Sequence, residues 1–77
     1  MPLELYGSRT CPYTAQLRAD LEWNGEPFVE FDVDEDAQAC ARMLDLVSGA
    51  AMLPVLVRDG SVAQIGYQGR GCYVNRS

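Results

Sequence analysis

The chain has 77 residues, 48% of them hydrophobic, and a formal net charge of −5, which suits one small soluble domain over 1–77 and leaves no room for a second. It has no histidine, and its six cations are all arginine, so a serine–histidine triad, a histidine base, a Schiff-base lysine and a histidine-rich metal site are excluded. Six arginines scattered among eleven acids argue against a nucleic-acid or anionic-membrane partner.

Leu3 to Tyr6 alternates and predicts a first strand, stopped by Gly7-Ser8. No basic leader or signal-peptide core precedes it, so a cytoplasmic location with reduced thiols is expected. Thr10 is placed to cap a helix with Pro12 in its first turn. Tyr13, Leu17 and Leu21 give that helix an apolar stripe, Trp23 reads as a packing residue, and Asn24-Gly25 as the stop. Phe28 to Val33 alternates apolar with acidic residues, the pattern of a strand with one buried face. The acids Asp34-Glu35-Asp36 read as the solvated start of a second helix, where negative charge suits the dipole. That helix is expected to run to about Val47 and end at Ser48-Gly49, with Cys40 in a core stripe beside Ala37, Ala41 and Leu44. Val55 to Val57 and Ser61 to Ile65 flank Asp59-Gly60, a hairpin signal. The longest apolar run, Ala50 to Val57, is broken by Pro54 and is too short to span a bilayer. The predicted order is β-α-β-α-β-β, with a parallel pairing across the first helix and a flexible glycine-rich tail over about 66–77.

Cys11 is the candidate nucleophile. It falls at the start of the first helix, where free N–H groups and the dipole favour a thiolate, and the loop is expected to expose it. Arg9 adds a fixed positive charge, and Thr14, one turn on, offers a hydroxyl to the sulfur. The cysteines at 11, 40 and 72 form no CxxC pair, and no metal site is expected.

Cys11-Pro12-Tyr13-Thr14 resembles the CPYC motif of glutaredoxins, with threonine for the second cysteine. The likeness spans about residues 3 to 67 and takes in Leu53-Pro54-Val55-Leu56-Val57, similar to the family's TVP-type loop. It implies an α/β thioredoxin-like fold with the C-terminal helix missing or reduced. A closer likeness is to the UXX-star proteins, a small glutaredoxin-like family in which some members carry selenocysteine at the position of Cys11. The resemblance implies thiol–disulfide exchange through Cys11, with no bound cofactor, glutathione or another small thiol as co-substrate, and protein disulfides as partners. It further implies a cis Pro54, pairing of the Leu53 backbone with the thiol substrate, and glutathione contacts from Arg9, Tyr13, Leu53, Pro54, Gly66 and Tyr67. Tyr13 and Tyr67 are equally read as packing residues. Two departures stand out: Ser8 holds the family's lysine position, and the turn near Gly66-Tyr67-Gln68-Gly69 lacks its aspartate. Thr14 excludes a disulfide within the motif. Cys72 either swings back to resolve a mixed disulfide or is passive. An alternative function is a non-catalytic thioredoxin-fold binding or redox-sensing module. Iron–sulfur carriage through glutathione fits less well, since Pro12 stiffens a loop such carriers build with glycine.

Overall fold

The computed structural model describes residues 3–47 and 52–73; the expected helix stop at Ser48-Gly49 and the end of the tail, 74–77, lie outside them. Strand β1 (Leu3–Gly7) leads into helix α1 (Pro12–Trp23), strand β2 (Phe28–Asp32) and helix α2 (Ala37–Leu46). Four strands follow: β3 (Met52–Leu53), β4 (Val55–Arg58), β5 (Ser61–Ile65) and β6 (Cys72–Tyr73). The main sheet runs β2-β1-β4-β5, with β1 parallel to β2 and antiparallel to β4, and β3 pairs with β6 in a separate two-stranded ladder. Among the described residues no helix follows α2.

The two-residue periodicity of β1 assigns its faces. Leu3 and Leu5 join Leu56 of β4 against Leu17 and Leu21 of α1. On the other face Tyr6, Val55 and Val57 meet Ala39 and Met43 of α2, with Cys11, Val33 and Leu53 in the same cluster. Each leucine or valine so buried contributes about 1.5–3 kcal/mol. An Arg18–Glu30 pair, with both N–O distances 2.6 Å, ties α1 to β2, and Tyr6 stacks on Phe31 at 5.0 Å.

Several local expectations change. Cys11 itself caps α1, because Thr10 directs its amide to the Ser8 hydroxyl oxygen at 3.2 Å. The other end of α1 follows the sequence: Gly25 is left-handed at φ 71°, and Gly25 and Glu26 donate back to Glu22 and Leu21. Trp23, expected to pack, is 90% exposed at the end of α1. Edge strand β2 is only partly covered, and Val29 lies open to solvent. Helix α2 is capped by Asp36, whose carboxylate accepts from Gln38 and Ala39. Its buried stripe is Ala39 and Met43, continued by Val47, so Cys40 and Leu44 sit at its margin while Ala37 and Ala41 are exposed. Asp59 and Gly60, at φ 53° and 79°, form the expected turn between β4 and β5.

The tail departs most from expectation. Tyr67 and Arg70 exchange two backbone hydrogen bonds around Gln68-Gly69, and the returning chain pairs Cys72 with Leu53 and Tyr73 with Met52. Tyr67 packs on the leucine cluster and donates its hydroxyl to Asp20 at 2.6 Å. Residues 66–73 are thus an ordered hairpin held by long-range contacts.

Candidate active site

The site forms where β1 ends, α1 begins and β3 passes beside them. Gly7 allows the close approach: a Cβ there would lie 2.2 Å from Thr14 Cγ2. The fully buried Thr14 accepts a long hydrogen bond from the Ser8 N–H at 3.5 Å, and so keeps its proton for the sulfur. The Ser8 hydroxyl donates to Asp34 and accepts from Thr10, anchoring the loop to the turn after β2.

Burial works to push the Cys11 thiol up, yet hydrogen bonds outweigh it and hold the thiol below its ordinary value. The donors are the Cys72 thiol, the Thr14 hydroxyl, and the backbone N–H groups of Thr14 and Tyr13 at the start of α1. Cys72 moves the opposite way. Its hydrogen bond to Cys11, burial and the Cys11 charge push its thiol up to about 11, so it stays protonated beside a thiolate. No disulfide joins them.

Three sequence expectations are corrected here. Cys11 is 2% exposed, since Tyr13 and the ordered tail, through Cys72, pack on its cluster. Arg9 turns its guanidinium to Asp32 at 3.3 Å and to Glu35, and is not among the groups that lower the Cys11 thiol. Electrostatics explain the difference: the acids after β2 offer a carboxylate partner in solvent, and the helix start already supplies donors to Cys11. The tail, finally, is no loose arm.

The Leu53–Pro54 bond is cis, both residues are buried, and Leu53 belongs to the cluster that holds Cys11. The Leu53 backbone faces Cys72. Tyr13 is half-buried against the Cys11 cluster. Gly66 donates to the Pro54 carbonyl at 2.6 Å and is hemmed in by Met52 and Arg70, while Tyr67 is engaged on α1. Of the residues proposed to meet glutathione, the structure gathers Tyr13 and Leu53 in the cluster of Cys11 and gives Arg9 and Tyr67 other partners. Sequence reading missed Gly71, where a Cβ would lie 2.1 Å from the Leu53 carbonyl oxygen; its only signal is a glycine preceding Cys72. Among the described residues no group of three or more cysteines and carboxylates converges as a metal site, and no helix is long and apolar enough to cross a membrane.

A mixed sheet β2-β1-β4-β5 flanked by helices on its two faces, with a cysteine at the start of the first helix, is the architecture of a thioredoxin-like protein. Comparison agrees: the crystal structure of the thioredoxin-like protein BC3987 superposes with a TM-score of 0.75 at 33% identity, covering 86% of this chain and 88% of that one. A glutaredoxin from Archaeoglobus fulgidus shares the fold at a TM-score of 0.71 and 24% identity, covering 86% and 75%. Residues 3–63 match the glutaredoxin family model, and the chain belongs to the glutaredoxin family. A probable glutaredoxin of Synechocystis sp. is 31% identical over 61 residues, 78% of this chain and 56% of that relative, so the chain spans little more than half the relative's length.

Proposed function

We propose that the chain is a thiol–disulfide oxidoreductase in which Cys11 acts as the single motif nucleophile on glutathione or protein mixed disulfides. The observation that carries this reading is the place of Cys11 at the start of α1, where, against the cost of burial, hydrogen bonds from Cys72, the Thr14 hydroxyl and the Thr14 and Tyr13 amides favour its thiolate. The thiolate attacks the glutathione sulfur of a mixed disulfide, a new Cys11–glutathione bond forms, and the protein thiolate leaves with the electron pair and takes up a proton. A second thiolate then attacks the glutathione sulfur of that adduct and releases Cys11. Because Thr14 replaces the second motif cysteine, that thiol comes from outside the motif. With Arg9 and Tyr67 engaged elsewhere and the Leu53 backbone paired with Cys72, a small thiol keeps few specific contacts, so other small thiols compete with glutathione.

The near-complete burial of Cys11 favours a second reading, a redox-sensing module that reacts once and does not turn over. Turnover of a glutathionylated reporter peptide, with glutathione as reductant, decides between them. The wild type is expected to turn over and Cys11→Ser to fall to the uncatalysed background. Full activity in Cys11→Ser overturns the nucleophile assignment, and a single stoichiometric reaction of the wild type supports the sensor.

A further inference from the structure

In the ladder formed by β3 and β6 the chain binds a cysteine-containing strand of its own. Leu53 pairs antiparallel with Cys72 and Met52 with Tyr73, in the way an extended peptide adds to an exposed sheet edge. The approach is tight enough to require glycine at 71, since a Cβ there would lie 2.1 Å from the Leu53 carbonyl oxygen and 2.6 Å from Met52 Cγ. The Tyr67–Arg70 turn and the Tyr67–Asp20 hydrogen bond hold the strand in place from behind, and Cys72 packs on the cluster that contains Cys11.

We propose that Gly71-Cys72-Tyr73 is a built-in substrate strand that seats Cys72 on the Leu53 edge as the thiol resolving mixed disulfides on Cys11, a role that rests on Cys11 being the nucleophile. The Cys72 sulfur attacks Cys11 Sγ of the mixed disulfide; a Cys11–Cys72 bond forms and the Cys11–glutathione bond breaks. Glutathione leaves as thiolate with the electron pair and gains the proton that Cys72 gives up. The disulfide oxidation level passes unchanged from the mixed to the internal bond, and two external thiols later reduce it. The environment suits this order. At rest Cys72 donates to the Cys11 thiolate and is inert, whereas forming the adduct removes the negative charge and the acceptor that hold its proton.

The test is incubation with oxidised glutathione, followed by intact mass and disulfide mapping, for the wild type, Cys72→Ser and Gly71→Ala. The wild type is expected to show the internal Cys11–Cys72 bond without retained glutathione. Cys72→Ser is expected to keep one glutathione on Cys11. Gly71→Ala, with both thiols present, is expected to accumulate the same adduct because its strand cannot seat. A stable adduct on the wild type equal to that on Cys72→Ser overturns the role of the tail and leaves Cys11 as nucleophile. An internal bond formed as fast in Gly71→Ala as in the wild type overturns the seating of the strand. No adduct on Cys72→Ser overturns the nucleophile, and this inference with it.

Discussion

The two halves of the site are built in opposite ways. The loop from Gly7 to Thr14 joins neighbours in sequence, Ser8 with Thr10, Cys11 at the start of α1 and Thr14 folded back under Gly7, and is anchored by Ser8 and Arg9 to the acids from Asp32 to Glu35. The hairpin from Gly66 to Tyr73 is shaped by distant partners: Pro54 for Gly66, Asp20 for Tyr67, and Met52 and Leu53 for the strand. The first half activates a thiol, and the second half covers it.

Substitutions separate the halves. The largest effect is expected from Gly7→Ala, whose methyl meets Thr14 at 2.2 Å. Such overpacking costs about 1–3 kcal/mol, and a thermal melt would show it as a fall of about 4–8 °C per kcal/mol in a domain of this size. An unchanged melt would show that the loop gives way freely.

Thr14→Val comes next. It keeps the shape but removes a donor to the sulfur and leaves the Ser8 N–H without its long hydrogen bond. Thiolate is the reacting form, so lowering the pKa moves the alkylation curve of Cys11 to lower pH, below the ordinary 9.0. Losing the hydroxyl should move it back up and slow alkylation at neutral pH. A curve that stays put assigns the activation to the amides and Cys72 alone.

Tyr67→Phe acts only on the other half. Removing the hydrogen bond to Asp20 should speed hydrogen exchange at Cys72 and Tyr73 and leave amides in α1 unchanged. Equal protection would mean that the ladder holds the hairpin unaided.

Arg9→Ala should do least. The guanidinium is exposed and paired with Asp32 and Glu35, and surface pairs contribute less than about 1 kcal/mol. The Cys11 alkylation curve should not move; a shift would return Arg9 to the thiolate.

Much of this molecule could be read from short stretches. The Cys11 motif, the Asn24-Gly25 stop, the Asp59-Gly60 hairpin and the acidic start of α2 each depend on a few adjacent residues whose backbone preferences agree. The errors share a cause as well. Sequence neighbourhood sets Arg9 beside the Cys11 sulfur, though its carboxylate partners lie 23 and 26 residues away. Three alanines and a cysteine made two overlapping stripes on α2, and only packing against Tyr6 and Val57 selects Ala39 and Met43. Glycines in the tail read as freedom, although Gly71 is there because the Leu53 carbonyl leaves no space for a side chain.

Sequence alone therefore determined the order β1, α1, β2, α2, β4 and β5, the family likeness and the position of Cys11 at a helix start, all of which follow from periodicity, turn chemistry and a short motif. Tertiary structure alone decided that Cys11 is covered, that Arg9 faces the acids, and that Cys72 lies paired with Leu53 beside Cys11. These outcomes depend on which distant groups meet once the sheet has formed, and no local propensity encodes that choice.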